Sequence, residues 1–378
     1  MINILEINRT AKEYDSDKYY KKFKTYDHLV TMMFAIISNC TSLRDISNII
    51  LACEGKINHL NLVDVPRRST LSDANKNRNS EVFAAIYSKL YQKYRKFLSD
   101  SSSKSKKYKN LYMVDSSTIS LFSNLIQGVG RNPVSGKKKG GIKMHTMVNA
   151  LEDTPCLVRF TSAKVHDHVF LADLELKKGS FVVFDKGYND YNQFAQWNLQ
   201  GVYFVTRMKS NAKYQEIKEY HIEKHIHDGI LKDERVKIQK DGVDIEMRRV
   251  IYWHDEQKRL YEFITNNFEL DADIIADIYK ERWNIELLFK RLKQNFPLKY
   301  FLGDTQNAIE IQIWVSLIVQ LIMLVINRKA TKKWAFSNMV GVIRYHQMSY
   351  IDIYKFLNNP NARWRDLTTR TSMQLALF

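Results

Sequence analysis

Residues 180–190 read SFVVFDKGYND. The run from Ser180 to Phe184 is short and apolar, the pattern of a strand buried on both faces, and it leads straight into a carboxylate, Asp185. A second segment has the same form: in LYMVDSSTIS, Leu111, Met113 and Val114 lead into Asp115, where a strand is expected to end. Open α/β sheets place their sites at the carboxyl ends of strands. A buried carboxylate is costly unless it is paired or binds metal. Working outward, residues 142–149, 156–161 and 202–206 read as further strands, and 166–176 and 191–199 as helices. Strands first, then strands alternating with helices, predict an α/β sheet with helices packed on it.

The flanks differ in pattern. Residues 209–268 are short and strand-like, with a hairpin signal at Asp241-Gly242, and read as a β-rich insertion. Asp271 opens a long helix to about residue 295, and the remainder is helical, with Trp314 and Trp334 as expected core aromatics. Residues 309–326 are nearly long enough to span a bilayer, but Glu310, Gln312 and Gln320 break them, so a buried core helix is expected. Towards the N-terminus, residues 28–39 and 43–53 read as helices, the second capped by Thr41 and Ser42. A third follows Pro66-Arg67-Arg68 with Ser69 as its expected cap, and carries Asn75, Lys76, Asn77 and Arg78. A basic, amide-rich helix suits a major-groove reader, although its distance from the preceding helix is too long for a helix-turn-helix. The expected organisation is an α-helical N-terminal DNA-binding domain over 1–98 and a Ser/Lys-rich linker over 99–110. A catalytic core over 111–208 and 269–330 surrounds the insertion 209–268, and a helical C-terminal region spans 331–378.

Charge points to the partner. The chain has 58 Lys+Arg against 41 Asp+Glu, a formal +17, which favours polyanions through counterion release. Between Ser101 and His145 there are nine Lys or Arg and one acid, Asp115. The three cysteines, Cys40, Cys53 and Cys156, are scattered without metal spacing, and the first fifteen residues lack a signal-peptide core; both fit a reducing cytosol.

The long helix carries Tyr279, Arg282, Glu286 and Lys293, which on a continuous helix fall within a sector of roughly 60°. Ile278, Ile285, Leu288 and Leu292 take the neighbouring, buried sector. An ordinary Arg282–Glu286 salt bridge at i,i+4 explains part of this stripe. Asp115, Asp185 and Glu286, from two strands and one helix, can nevertheless converge. Three hard oxygen donors with no His or Cys at ligand spacing suit Mg²⁺ or Mn²⁺, and two such ions would serve a phosphodiester reaction.

With those residues in place, the sequence resembles a DDE transposase of the IS-four insertion-sequence family. The resemblance rests on Tyr279-x2-Arg282-x3-Glu286-x6-Lys293 inside YKERWNIELLFKRLK, and on the segments YMVDSSTIS, VVFDKGYND and GGIKMH. It extends to TSLRDI and STLSDANKNR, covering about residues 10–330. It implies a ribonuclease-H-like core with a β-rich insertion, and the 101 positions between Asp185 and Glu286 (286 minus 185) leave room for one. It also implies that Asp115, Asp185 and Glu286 are catalytic and hold metal, while Tyr279, Arg282 and Lys293 grip the DNA backbone and the displaced terminal nucleotide. Trp283, beside the stripe, is a further DNA-binding candidate. The implied substrates are double-stranded transposon ends and target DNA, handled by a homodimer without a membrane, in the bacterial cytoplasm at the nucleoid.

Other features have plainer readings. His166-Asp167-His168 is read as a helix cap or surface rather than a metal cluster. Lys137-Lys138-Lys139-Gly140-Gly141 lacks a P-loop ending and is either a DNA-contacting loop or a solvated turn. Arg207, Lys209 and Lys213 are candidates for backbone contacts. Two rival functions remain at this point: a tyrosine recombinase with Tyr279 as nucleophile, and a non-enzymatic DNA-binding regulator.

Overall fold

The structure, a computed structural model, describes residues 1–368 apart from 54–55, 105–108, 121–140, 223–228, 241, 297 and 299. Lys137, Lys138, Lys139 and Gly140 of the basic loop, and Asp241 of the hairpin signal, lie outside the described residues. The chain forms two compact units: residues 1–101 with 289–378, and residues 102–288.

The first unit begins with α1 (Ile4–Glu13), α2 (Thr25–Ile37), α3 (Leu43–Ala52), α4 (Arg68–Asn77) and α5 (Glu81–Asp100). Ser42 and Asp45 cap α3 reciprocally: the serine hydroxyl accepts from Asp45 N–H at 3.1 Å and the aspartate accepts from Ser42 N–H at 3.0 Å. Ser69 does not cap α4. The carbonyl of Arg67 already accepts from Leu71 N–H at 3.0 Å, so the helix starts before Ser69. Of the four residues expected to read bases, Asn75, Lys76, Asn77 and Arg78, two are not free to do so. Asn75 is buried, accepting from His28 Nε2 at 2.7 Å and donating to Leu302 O at 2.8 Å. Arg78 is buried, donating to Ser16 O at 3.2 Å and Phe23 O at 2.9 Å. Lys76 and Asn77 remain exposed.

The second unit is built on a mixed nine-stranded sheet. Its strands are β1 (Leu111–Ser120), β2 (Gly141–Asn149), β3 (Pro155–Ser162), β4 (Phe181–Phe184), β5 (Tyr203–Arg207), β6 (Gln215–Glu219), β7 (Ile230–Lys240), β8 (Val243–His254) and β9 (Arg259–Thr265), in the order β3-β2-β1-β4-β5-β9-β8-β7-β6. β2 pairs antiparallel with β1 and β3, while β4 runs parallel to β1 and to β5. The strands of the expected insertion extend this sheet from β5 through β9. β1 continues past Asp115 to Ser120 because β2 pairs with it throughout, although β4 stops at Val114. Between β4 and β5, α6 (Tyr191–Gln200) lays Phe194 and Trp197 on Phe184 and Phe204, with Phe194 and Phe204 centroids 4.1 Å apart. Gly201, at φ 66°, ends it in the left-handed region. The helix expected over 166–176 is only a 3-10 turn, Asp167–Asp173. Its buried anchors Phe170 and Leu171 are adjacent, so no stripe at α-helical spacing holds a longer helix.

The long helix expected from Asp271 is two helices, α7 (Ala272–Glu281) and α8 (Trp283–Asn295). Asn284 Nδ2 donates to Glu281 O at 3.0 Å, an early side-chain cap that competes with the backbone ladder. Arg282, at the junction, donates its N–H to Tyr279 O at 3.1 Å, a three-residue closure. The uniform angular stripe across this junction is therefore replaced by a tightened turn. The division between the units falls within α8, and α9 (Gln306–Lys329), α10 (Phe336–His346), α11 (Ile353–Asn358) and α12 (Trp364–Leu367) follow in the helical unit.

α9 is long and apolar enough to cross a membrane, but 89% of its most apolar window is buried, and it packs on α2, α4 and α5. Its polar breaks are used inside the protein. Glu310 accepts from Ser80 Oγ at 2.8 Å, and Gln312 accepts from Leu302 N–H at 2.8 Å and donates to Tyr300 O at 2.8 Å. Trp314 and Trp334 are half-buried, the first against Tyr87 and the second donating Nε1–H to Leu357 O at 2.7 Å. The compact division thus differs from the expected one: residues 289–378 fold with 1–101, because α9 needs the N-terminal helices to cover its sides.

Candidate active site

Parallel pairing brings two acids together. Val114 of β1 lies beside Phe184 of β4, so Asp115, the next residue of β1, and Asp185, the residue that follows β4, leave the pair together. Asp115 Oδ1 accepts from Ser116 N–H at 2.8 Å, and Asp185 Oδ1 from Gly187 N–H at 3.2 Å. Glu286 lies in the first turn of α8.

Arginines link the acids. Arg282 donates through Nη2 to Glu286 Oε1 at 2.6 Å, while Nη1 stands 3.7 Å from Asp115 Oδ2. The i,i+4 salt bridge is present, and the same guanidinium also faces a strand acid. Arg207, at the end of β5, pairs with Asp185. The Tyr279 ring lies between these two cations, 5.9 Å from Arg207 and 5.6 Å from Arg282, with Phe263 4.7 Å away. Tyr279 is buried, and among the described residues its hydroxyl has no hydrogen-bond partner. Trp283 is 57% exposed, which removes it from the core. Lys293 is exposed on α8 beyond Glu286. Trp253 is half-buried.

The two acids are shifted in opposite directions. Burial pushes Asp115 up to about 6; Ser116 N–H and Arg282 oppose the rise, while Glu286 and Asp185 add to it. Burial also acts to raise Asp185, but the direct pair with Arg207 outweighs it and the carboxyl is held below its usual value. Burial acts against the charge of Arg282, yet Tyr279, Glu286 and Asp115 raise it overall. Burial likewise raises the Tyr279 hydroxyl.

Among the described residues, no three His, Cys, Asp or Glu side chains stand together at metal-holding distance. In this arrangement the carboxylates face guanidinium groups instead. The donor set nonetheless fits a hard divalent cation: three carboxylates gathered from two strands and a helix, one of them short of positive charge. The sequence offers Arg207 as a DNA-backbone contact, whereas the structure pairs it with Asp185. The available signal was a basic residue ending the apolar strand that follows the one before Asp185.

Comparison with known proteins agrees in part and adds a family. Residues 1–62 match a domain of unknown function (DUF4372). A protein of Sinorhizobium fredii named as a transposase is 28% identical over 286 residues, 73% of this chain and 76% of that protein. A Synechocystis protein named as a transposase for insertion sequence element IS4SA is 27% identical over 289 residues, 74% of this chain and 76% of that one. A solved synaptic complex of piggyBac transposase with hairpin DNA covers 96% of this chain and 80% of that chain at 9% identity and a TM-score of 0.43, too low to bear on the fold. Residues 107–322, more than half of the chain, match the transposase DDE domain, and the chain belongs to that family of transposases.

Proposed function

We propose that this transposase binds the terminal inverted repeats of an insertion sequence and carries out metal-dependent strand cleavage and strand transfer. The reaction follows a cut-and-paste course with a hairpin intermediate. The observation that carries the reading is that Arg282 faces both Asp115 and Glu286 while Arg207 pairs with Asp185. The strand order β3-β2-β1-β4-β5, antiparallel and then parallel, supports a ribonuclease-H-like catalytic core.

Asp115, Asp185 and Glu286 would hold Mg²⁺ or Mn²⁺, two ions in all; when bound, such ions supply an activated water and neutralise the leaving oxygen. Arg282 and Arg207, released from the carboxylates, would turn their forked donors to phosphate, and exposed Lys293 would add a point charge. The formal +17 supplies the sequence-independent part of the affinity for duplex DNA. Joining two ends calls for two copies of the chain on DNA.

The tyrosine-recombinase reading is disfavoured by Tyr279 itself. Its ring is only 7% exposed, and burial raises its hydroxyl, the opposite of an accessible nucleophile. The decisive experiment replaces Asp115 or Asp185 by Asn, or Glu286 by Gln. Each change should abolish cleavage of a labelled end in Mg²⁺ while gel-shift affinity for that end stays nearly intact. Substantial cleavage by any one of them at saturating Mg²⁺ removes that residue from the assignment.

A further inference from the structure

Two motifs remain outside the reading above: GGIKMH with Lys143 and His145, and His166-Asp167-His168. In the sheet unit they meet behind Asp115. Ser116, the next residue of β1, is opposite His145 of β2. Its N–H donates to Asp115 Oδ1 at 2.8 Å, and its hydroxyl donates to Asp167 Oδ1 at 2.8 Å. That same oxygen lies 3.1 Å from Lys143 Nζ and 3.9 Å from His145 Nδ1.

Each partner is fixed in turn. Lys143 donates to Val165 O at 2.9 Å. His145 is buried, bonded through Nε2 to Thr161 Oγ1 at 2.8 Å and stacked on Phe170 at 5.2 Å. Successive side chains of a strand point to opposite faces, so Ser116 is tied down on the face away from Asp115. This matters because β1 loses its β4 neighbour after Val114, and from Asp115 onward its pairing among the described residues is with β2 alone. Lys143 offsets the charge of Asp167, which leaves that carboxylate to act as a hydrogen-bond anchor rather than another metal-seeking acid.

We propose that Asp167, held by Lys143, is a positioning residue that fixes Ser116 and through its N–H the carboxylate of Asp115. The proposal rests on Asp115 being a metal ligand. Outer partners of metal ligands typically change metal affinity by roughly 10–100-fold when removed.

The test is Mn²⁺ binding by the full chain without DNA, followed by the paramagnetic resonance signal of free Mn²⁺. Asp167→Asn should weaken binding by roughly 10-fold or more. Ser116→Ala, which retains every charge, should also weaken it. If Asp167 acts through Ser116, the double variant should bind no more weakly than Asp167→Asn alone. Losses that add, or wild-type affinity in Asp167→Asn and Ser116→Ala, overturn the proposal. Asp115→Asn separates the two levels: wild-type Mn²⁺ affinity in that variant overturns the ligand reading itself. Should Asp167→Asn fail to fold, Ser116→Ala decides alone.

Discussion

Arg282 Nη1 stands 3.7 Å from Asp115 Oδ2, yet the same guanidinium is committed at 2.6 Å to Glu286. Asp115 therefore shares a cation rather than owning one, in contrast to Asp185 with Arg207. This inequality explains why burial carries Asp115 up to about 6 while Asp185 is held low.

A stability cost at the site follows. The folded-state value of Asp115 lies above its ordinary 3.8, so its favourable contribution is full below about 3.8 and is lost as pH rises through about 6. At pH 8 without metal, Asp115→Asn should be more stable than the wild type by on the order of 1–3 kcal/mol. Near pH 4 the difference should shrink towards zero. Urea unfolding at both pH values measures this; a less stable Asn variant at pH 8 would mean that the charge of Asp115 is fully compensated by Arg282.

The neighbourhood of Asp115 and Asp185 was legible because apolar runs announce buried strands and an acid at their ends stands out. The break at Arg282 was not legible. It depends on Asn284 capping Glu281 O, a local competition that apolar periodicity does not register. Asn75 and Arg78 misled for a related reason, since polar residues on a short helix look like surface until their buried partners, His28, Leu302, Ser16 and Phe23, are in view. The joining of residues 289–378 to 1–101 also escaped, because a helix as uniformly apolar as α9 points to no particular partner.

That joining changes what a truncation can reveal. Removing residues 1–97 would strip α2, α4 and nearly all of α5 from α9 and expose its apolar sides. The shortened chain is expected to be insoluble rather than a DNA-binding core without sequence preference. Exposed α4 residues offer a cleaner probe. Lys76→Glu with Asn77→Ala should reduce preference for the element's ends over random duplex in a gel-shift titration, with unchanged thermal unfolding. A truncated chain that stays soluble and monodisperse in size-exclusion chromatography would contradict the shared core.

His28 gives the helical unit a pH dependence. It is fully buried between Asn75 and Phe83, and burial first, then Arg78, lowers it from 6.5 to about 3. A depressed histidine adds stability that is fully present above about 6.5 and is lost as pH falls towards 3. The loss approaches about 1.4 kcal/mol per pH unit within that window. His28→Gln keeps a donor for Asn75 and removes the titration. Its unfolding free energy should fall less between pH 6.5 and 4.5 than that of the wild type, and parallel curves for the two proteins would assign the acid sensitivity elsewhere.

Strand handling is the role expected of Arg282 and Lys293, with Trp283 next to Arg282 in the sequence. Forming a hairpin bends the terminal strands sharply, so a base near the end must leave its stack, at a cost of a few kcal/mol. An aromatic platform recovers about 1–3 kcal/mol per stacked base. Trp283, beside the stripe, is one aromatic that the sequence offers for this role, and Trp253 in the β-rich insertion is the other. The fold separates them: Trp283 is 57% exposed next to Arg282, whereas Trp253 is half-buried in β8. Arg282→Ala and Lys293→Ala are therefore expected to allow first-strand nicking and impair hairpin formation, and Trp283→Ala should do the same while Trp253→Ala does not. A one-strand label resolved on a denaturing gel distinguishes nicked, hairpin and double-cut products. A hairpin yield reduced about 10-fold or more corresponds to the recovered stacking, since 1.4 kcal/mol is a factor of ten. Equal loss of all three products in the Arg282 and Lys293 variants would show instead that these cations serve end binding or folding.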